Sequence, residues 1–301
     1  MSPYWQALDT KHCLDSFKEW AAMVKIEHTV FALPFALLSL VLGAMPGWPS
    51  FVTISWTVLA FAGARSAAMT LNRLIDAEID AANPRTRDRA IPRGRISKSR
   101  AAVLAVLSFA LMIFAAAHLP PLCLILSPVA VIWLSTYSYT KRFSWLSHFM
   151  LGASLGGAAL GGWIATGASL ACLAPWFLAL AVTMWVAGFD IIYACQDIDI
   201  DKAQRLHSIP AAFGVGPALA VSSVLHTITI AALIATGLVL HLGLLFWVGV
   251  LIAAAMLDCE HSLVKPHDLS KLNAAFFDVN GYISIALFVC VLADRLVGVP
   301  R

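Results

Sequence analysis

Two short stretches of this 301-residue chain carry residues whose types and spacing suit chemistry. In Asn72-Arg-Leu-Ile-Asp76-Ala-Glu-Ile-Asp80, a spacing of i, i+4, i+8 stacks Asn72, Asp76 and Asp80 along one face of a helix. Tyr193-Ala-Cys-Gln-Asp197-Ile-Asp-Ile-Asp201 repeats that spacing with Tyr193, Asp197 and Asp201, at a constant offset of 121 residues (72 to 193, 76 to 197, 80 to 201). Four carboxylates gathered in a partly dehydrated site repel one another unless cations compensate them. Oxygen ligands without His or Cys favour magnesium, which commonly binds through one or two carboxylates, water and phosphate oxygens. Asp76 with Asp80, and Asp197 with Asp201, are therefore the expected metal ligands, and a diphosphate is the expected bridging group. One Asp-x-x-x-Asp is a weak pattern, because a lone carboxylate at a helix end often only caps it. The matched pair is what distinguishes these two.

Cations that would meet a diphosphate lie at similar depth. Arg65 precedes Asn72 by seven residues, on nearly the same face and about 10 Å deeper, where an Arg is costly and marks function by default. Lys141 and Arg142 follow Tyr137 and Tyr139, Lys25 opens the first apolar run, and Arg205, four residues after Asp201, extends the second stripe. Anchoring at the bilayer surface is the alternative role for Lys25, Lys141 and Arg142. Asp190, seven before Asp197, lies deeper on the second stripe and calls for an Arg or Lys partner or a role at the acceptor. Glu27, His28, His207, Asp278 and Asn280 are further pocket candidates or satisfied structural groups. Residues 83–100 form an arginine-dense loop with Pro84, Pro92 and Gly94, expected to cap the first motif and exclude water.

The elements that hold these residues follow from composition. At 60% hydrophobic and 12% charged, the chain belongs in a bilayer. No apolar run is followed by a cleavage-like site, so no signal peptide is expected. A net charge of +3 is explained by loop placement of Lys and Arg, and nucleic acid is not an expected partner. Six scattered cysteines form no Cys-x-x-Cys pair, which argues against a disulfide framework. Asp258-Cys259-Glu260-His261 reads as a loop rather than a metal site. Spans of about 20 residues are expected near 28–46, 51–74, 100–118, 121–140, 146–166, 171–194, 210–235, 238–257 and 274–294. Connections at 75–99, 141–145, 195–209 and 258–273 hold Lys and Arg, whereas the intervening ones hold none. The positive-inside rule then puts the N-terminus in the cytoplasm and the C-terminus outside. The expected fold is all-α: nine transmembrane helices around a central cavity open to the cytoplasm. Both Asp motifs end even-numbered spans on that side and can face each other. Residues 1–24 form an expected interfacial segment, and 25–301 a single transmembrane domain. The small-residue run from Gly152 to Gly162 reads as close helix packing, since no strand or Gly-Lys-Ser/Thr accompanies it.

With those motifs in place the sequence resembles the UbiA superfamily of intramembrane prenyltransferases. Asn72-x-x-x-Asp76-x-x-x-Asp80 resembles its first Asp-rich motif and Asp190-x-x-Tyr193-Ala-x-x-Asp197-x-x-x-Asp201 its second. Tyr137-x-x-x-Lys141-Arg142 resembles the basic end of its fourth helix, and Lys25-Ile-Glu27-His28 the 4-hydroxybenzoate polyprenyltransferase-like branch. The resemblance implies magnesium-dependent transfer of a polyprenyl group from its diphosphate to a small aromatic acceptor, with a lateral opening for the apolar tail. It also implies an integral protein of a bacterial inner (plasma) membrane with its active site facing the cytoplasm. A 4-hydroxybenzoate acceptor is favoured, with a dihydroxynaphthoate of menaquinone biosynthesis as the alternative. An ion-coupled transporter is the competing class. Such proteins place their site near the midplane, whereas these acids gather at one rim.

Overall fold

The structure is a computed structural model that describes residues 19–24, 29–272 and 274–297. Lys25, Glu27, His28 and most of the interfacial segment lie outside the described residues. Residues 19–23 are helical, and the Trp20 indole Nε1 donates to Thr70 Oγ1 at 3.1 Å.

The chain runs through α1 (Thr29–Gly43), α2 (Phe51–Ile75), α3 (Ala77–Ala82), α4 (Lys98–Ala116) and α5 (Pro121–Thr136). A tight 3₁₀ segment, Tyr137–Arg142, leads to α6 (Ser147–Ile164) and α7 (Ala174–Ala194). After a 3₁₀ turn at Cys195–Asp197 come α8 (Ile198–Ala203), α9 (Ile209–Phe213), α10 (Val215–Leu240) and α11 (Leu244–Leu263). A π turn, Ala274–Val279, enters α12 (Asn280–Val297). No strand occurs among the described residues.

Local chemistry sets several of these boundaries. The Ser50 and Ser97 hydroxyls accept from the backbone N–H of Thr53 and Arg100, satisfying orphan donors at the starts of α2 and α4. Pro121 opens α5, where its missing N–H costs nothing. Gly214, at φ +85°, separates α9 from α10 within the span expected at 210–235. Helix α11 runs on through Asp258–His261, which are helical and not a loop. Apolar residues upstream and the burial of Glu260 against α12 extend the helix beyond the point where hydropathy falls.

Among the described residues, seven helical stretches are long and apolar enough to cross a membrane, including Phe51–Ile75, Ala174–Ala203 and Val215–Leu240. Helices α1 and α6, at the first and fifth expected spans, are not among the seven, and the apolar part of α1 is the shorter Leu33–Gly43. Large side chains such as Leu107, Ile125, Val224 and Leu251 point outward, a surface suited to acyl chains and not to water. The interior is knit by Phe35, Trp163, Leu178, Trp185 and Phe246. Helices α6 and α7 touch backbone to backbone. A Cβ on Gly152 would stand 2.3 Å from the Thr183 carbonyl oxygen, and one on Gly156 2.6 Å from that of Ala179. Gly152, Gly156 and Gly162 of the run make the close packing its spacing implies, while Gly157 and Gly161 face open space.

Candidate active site

Each Asp motif is broken at its middle carboxylate. Helix α2 stops at Ile75, and Asp76, at φ −91° and ψ 6°, redirects the chain into the six-residue α3. Asp197, at φ −106° and ψ 8°, does the same ahead of α8. The continuous eight-residue stripe expected from spacing is therefore two short helical faces joined at a bend, repeated in both motifs. Asp favours such boundaries because its short side chain competes with the helical backbone. Neither Asp76 nor Asp197 spends its carboxylate on a capping hydrogen bond. Both side chains are thereby left for other groups, which removes the reading in which they merely cap.

The first motif is sheathed in cations. Lys141 Nζ approaches Asp76 Oδ2 at 2.6 Å, and Asn72 Nδ2 donates to the same oxygen at 3.1 Å. The Asn72 amide also donates to Ser138 Oγ at 3.2 Å, tying α2 to the 3₁₀ segment after α5. Arg142 donates to the Ile75 carbonyl at 2.6 Å and stands 3.9 Å from Asp76 Oδ1. Arg89 Nη1 reaches both oxygens of Asp80, at 2.7 and 2.8 Å. Burial pushes the Asp76 carboxyl above the usual carboxylate range, and the Lys141 ammonium opposes that shift.

The second motif takes its partners from the loop that follows the first. Arg85 donates to Asp197 from Nη2 at 2.6 Å and from Nε at 3.1 Å, and to the Tyr193 hydroxyl at 3.2 Å. Its guanidinium also stands 5.3 Å from the Tyr193 ring centroid. Asn83 Nδ2 reaches Asp197 Oδ1 at 3.4 Å, and Gln204 Nε2 donates to the Ile79 carbonyl at 3.3 Å. The arginine-rich loop, expected over the first motif, instead bridges both. Ser208 donates to Asp201 Oδ2 at 2.7 Å, and the His207 N–H donates to the Lys141 carbonyl at 2.7 Å. Both motifs and the 3₁₀ segment thus converge at one end of the helices.

Among the described residues, Asp190 is paired with neither Arg nor Lys. It accepts from His148 Nδ1 at 2.7 Å, while His148 Nε2 accepts the Ile209 N–H at 3.3 Å. That second bond fixes the tautomer: the ring proton sits on Nδ1, facing the carboxylate. His148 on α6 is buried and stands in no sequence motif, so nothing in its surroundings marked it. Ser138 went equally unmarked because its partner Asn72 lies 66 residues away, and Ser208, seven residues after Asp201, because it stands outside the fourfold spacing.

Other expected residues fall elsewhere. Arg205 leaves the second stripe, because α8 ends at Ala203 and Arg205 takes φ +54° in the exposed turn beyond. Asn280 is buried in a separate network, accepting from Trp185 Nε1 at 2.7 Å and donating to Glu260 Oε1 at 2.9 Å. Asp278 lies exposed in the π turn, and the His207 side chain is exposed. Arg65 is half-buried on α2, and Tyr137 half-buried in the 3₁₀ segment.

The donors present suit a hard divalent cation. Asp76 Oδ1 is buried and makes no hydrogen bond among the described residues, a costly state for a carboxylate oxygen that a cation would relieve. No three His, Cys, Asp or Glu side chains among the described residues close on one point. Magnesium takes few protein ligands and completes its shell with water and phosphate oxygens.

Comparison with known proteins covers most of the chain. The UbiA prenyltransferase family model matches residues 32–285. The 4-hydroxybenzoate octaprenyltransferase of Alkalilimnicola ehrlichii is 30% identical over 261 residues, 85% of this chain and 86% of the relative. Among solved structures, a UbiA homolog from Aeropyrum pernix K1 in its apo form is 33% identical, with a TM-score of 0.82 over 89% of this chain and 98% of that one. A UbiA homolog from Archaeoglobus fulgidus bound to DMAPP and Mg2+ shares the fold at 20% identity, with a TM-score of 0.76 over 93% of this chain and 99% of that one. With paired aspartate bends at one end of an apolar helical bundle and the family's match running through both, this chain is a membrane prenyltransferase of the UbiA prenyltransferase family.

Proposed function

We propose that the chain transfers a polyprenyl group from a polyprenyl diphosphate to 4-hydroxybenzoate, with magnesium, at the cytoplasmic face of a bacterial inner membrane. The observation that carries this reading is the loop from Asn83 to Arg89, which holds Asp80 of one motif and Asp197 of the other. It supports the two carboxylate pairs acting as walls of one diphosphate site. The acceptor is chosen by the 4-hydroxybenzoate octaprenyltransferases among the relatives. The same chemistry on a dihydroxynaphthoate is the alternative. Nine crossings, with α1 and α6 included and the N-terminus cytoplasmic, complete the proposed topology.

Asp76, Asp80, Asp197 and Asp201 would hold the metal, which when bound neutralises charge on the departing diphosphate. Lys141, Arg85, Arg89 and Arg142 already stand within reach of those carboxylates. They are placed to take phosphate oxygens as negative charge grows during cleavage of the allylic C–O bond, and stabilising a growing charge raises the rate more than it tightens binding. Asn72, Arg65 and Tyr137 line the approach from α2 and the 3₁₀ segment. The electron pair leaves with diphosphate, a ring carbon of the acceptor attacks the allylic cation, and the ring proton then departs. Tyr193 offers its ring face to the cation. Asp190, held by His148, is positioned for the acceptor side.

The test is mass spectrometry of products from the purified chain, magnesium and a long-chain prenyl diphosphate, with 4-hydroxybenzoate and with 1,4-dihydroxy-2-naphthoate in parallel. A prenylated 4-hydroxybenzoate, absent when a chelator replaces magnesium, is the expected result. Product from the naphthoate alone would move the chain to the alternative, and product undiminished in chelator would overturn the metal site.

A further inference from the structure

Behind the first motif lies a second cationic pocket, of which the transfer reaction uses only Arg89. It is bordered by Glu19, Met23, Arg73, Arg89, Ala90 and Arg95, where residues 19–23 pack over the end of α2. Arg73 follows Asn72 on α2 and so projects about 100° around the helix from the Asn72 face. Its Nη1 donates to the neutral Asn72 amide oxygen at 3.0 Å, and among the described residues no carboxylate lies within 4.0 Å of it. A half-buried guanidinium at the end of an apolar helix, satisfied by an amide, retains most of its demand for an anion.

The neighbouring arginines are differently placed. Arg95 pairs with Glu19 at 3.0 Å and donates to the Asp88 carbonyl at 2.8 Å. Arg89 makes both contacts to Asp80 through Nη1, with Nη2 and Nε uncommitted among the described residues. Three guanidiniums therefore face the carboxylates of Glu19 and Asp80, leaving one positive charge in excess at Arg73. Planar forks converging on a pocket at the polar end of a span match the tetrahedral oxygens of a phosphate.

We propose that Arg73, Arg89 and Arg95 form a phosphate-binding site separate from the aspartate site. A phosphodiester headgroup of an anionic lipid and a free phosphate present the same chemistry to it. Arg89 links the two sites, because it lines this pocket and grips both oxygens of Asp80. Phosphate in the pocket thus competes with Asp80 for one guanidinium.

The experiment measures thermal unfolding of the full chain, without divalent metal and with chelator, in nanodiscs of phosphatidylcholine alone, of phosphatidylcholine mixed with phosphatidylglycerol, and of phosphatidylcholine with inorganic phosphate. Arg73→Gln and the more exposed Arg95→Gln are compared with Arg87→Gln, which removes the same charge from an exposed loop position. Phosphatidylglycerol should raise the unfolding temperature of wild type and Arg87→Gln. Half-saturation should need roughly tenfold more of it in Arg73→Gln and Arg95→Gln. The same pattern with inorganic phosphate would support the site and name a free phosphate as its occupant. If neither probe stabilises wild type, or if all three variants respond alike, the site does not exist and the arginines act only as surface charge. Should Arg73→Gln fail to fold, Arg95→Gln against Arg87→Gln carries the same decision.

Discussion

The two aspartate motifs share a backbone device and differ in everything around it. Each bends at its middle Asp with nearly the same dihedral angles and continues into a six-residue helix. The Asp76 side chain, however, is 3% exposed and the Asp197 side chain 17%. Asp76 meets a lysine fixed in the 3₁₀ segment after α5, whereas Asp197 meets an arginine from an open loop. Asp80 is gripped by a cation and Asp201 by a neutral hydroxyl. Local geometry is thus duplicated, while the electrostatic setting is divided into a buried, cation-rich half and a more open half. The first half is buried against Lys141, and the second lies under the loop that brings Arg85 to Asp197.

The largest expected effect tests whether both halves are needed. Asp76→Asn and Asp197→Asn should each lower kcat by about 10³-fold or more, since each removes a carboxylate that would hold the metal balancing the leaving diphosphate. Near-normal turnover in one of them would reduce the paired site to a single working half. Next come the counter-ions. Lys141→Gln should cost about 100-fold, because it strips a fixed cation from a buried carboxylate, and Arg85→Gln about tenfold, because the solvated loop has neighbouring arginines. Steady-state kinetics that reversed this order would place the rigid half at the second motif.

His148→Ala should lower kcat/KM by roughly tenfold, as the Asp190 carboxylate loses its only side-chain donor among the described residues. His148→Gln, which can still donate, should recover part of that loss. Unchanged kcat/KM in His148→Ala would make the pair purely structural. The smallest effect is expected for Ser208→Ala, about fivefold in kcat/KM, for loss of one neutral hydrogen bond to Asp201. A larger loss than for Arg85→Gln would mean that the second half depends on Asp201 more than on Asp197.

Much of this was legible in one dimension. Composition required a bilayer, and hydropathy located most of the long helices to within a few residues, because each span must satisfy its own backbone hydrogen bonds, while Val215–Leu240 and Leu244–Leu263 run five to six residues later than expected. The repeat of Asp at fourfold spacing exposed the carboxylate pairs, because a helix turns that spacing into a shared face. Periodicity could not reveal the bends at Asp76 and Asp197, since a bend leaves residue order unchanged. Arg205 was misplaced for the same reason: its spacing continued a helix that had already ended. Pairings across the bundle were beyond reach. His148 lies 42 residues before Asp190, and Arg85 lies 112 before Asp197. The sequence by itself determined which acids gather at one end of the helices, through short-range repeats. Which cation or hydroxyl meets each acid was decided by tertiary structure, because a counter-ion is chosen by distance in space and by burial, and neither is written in the spacing along the chain.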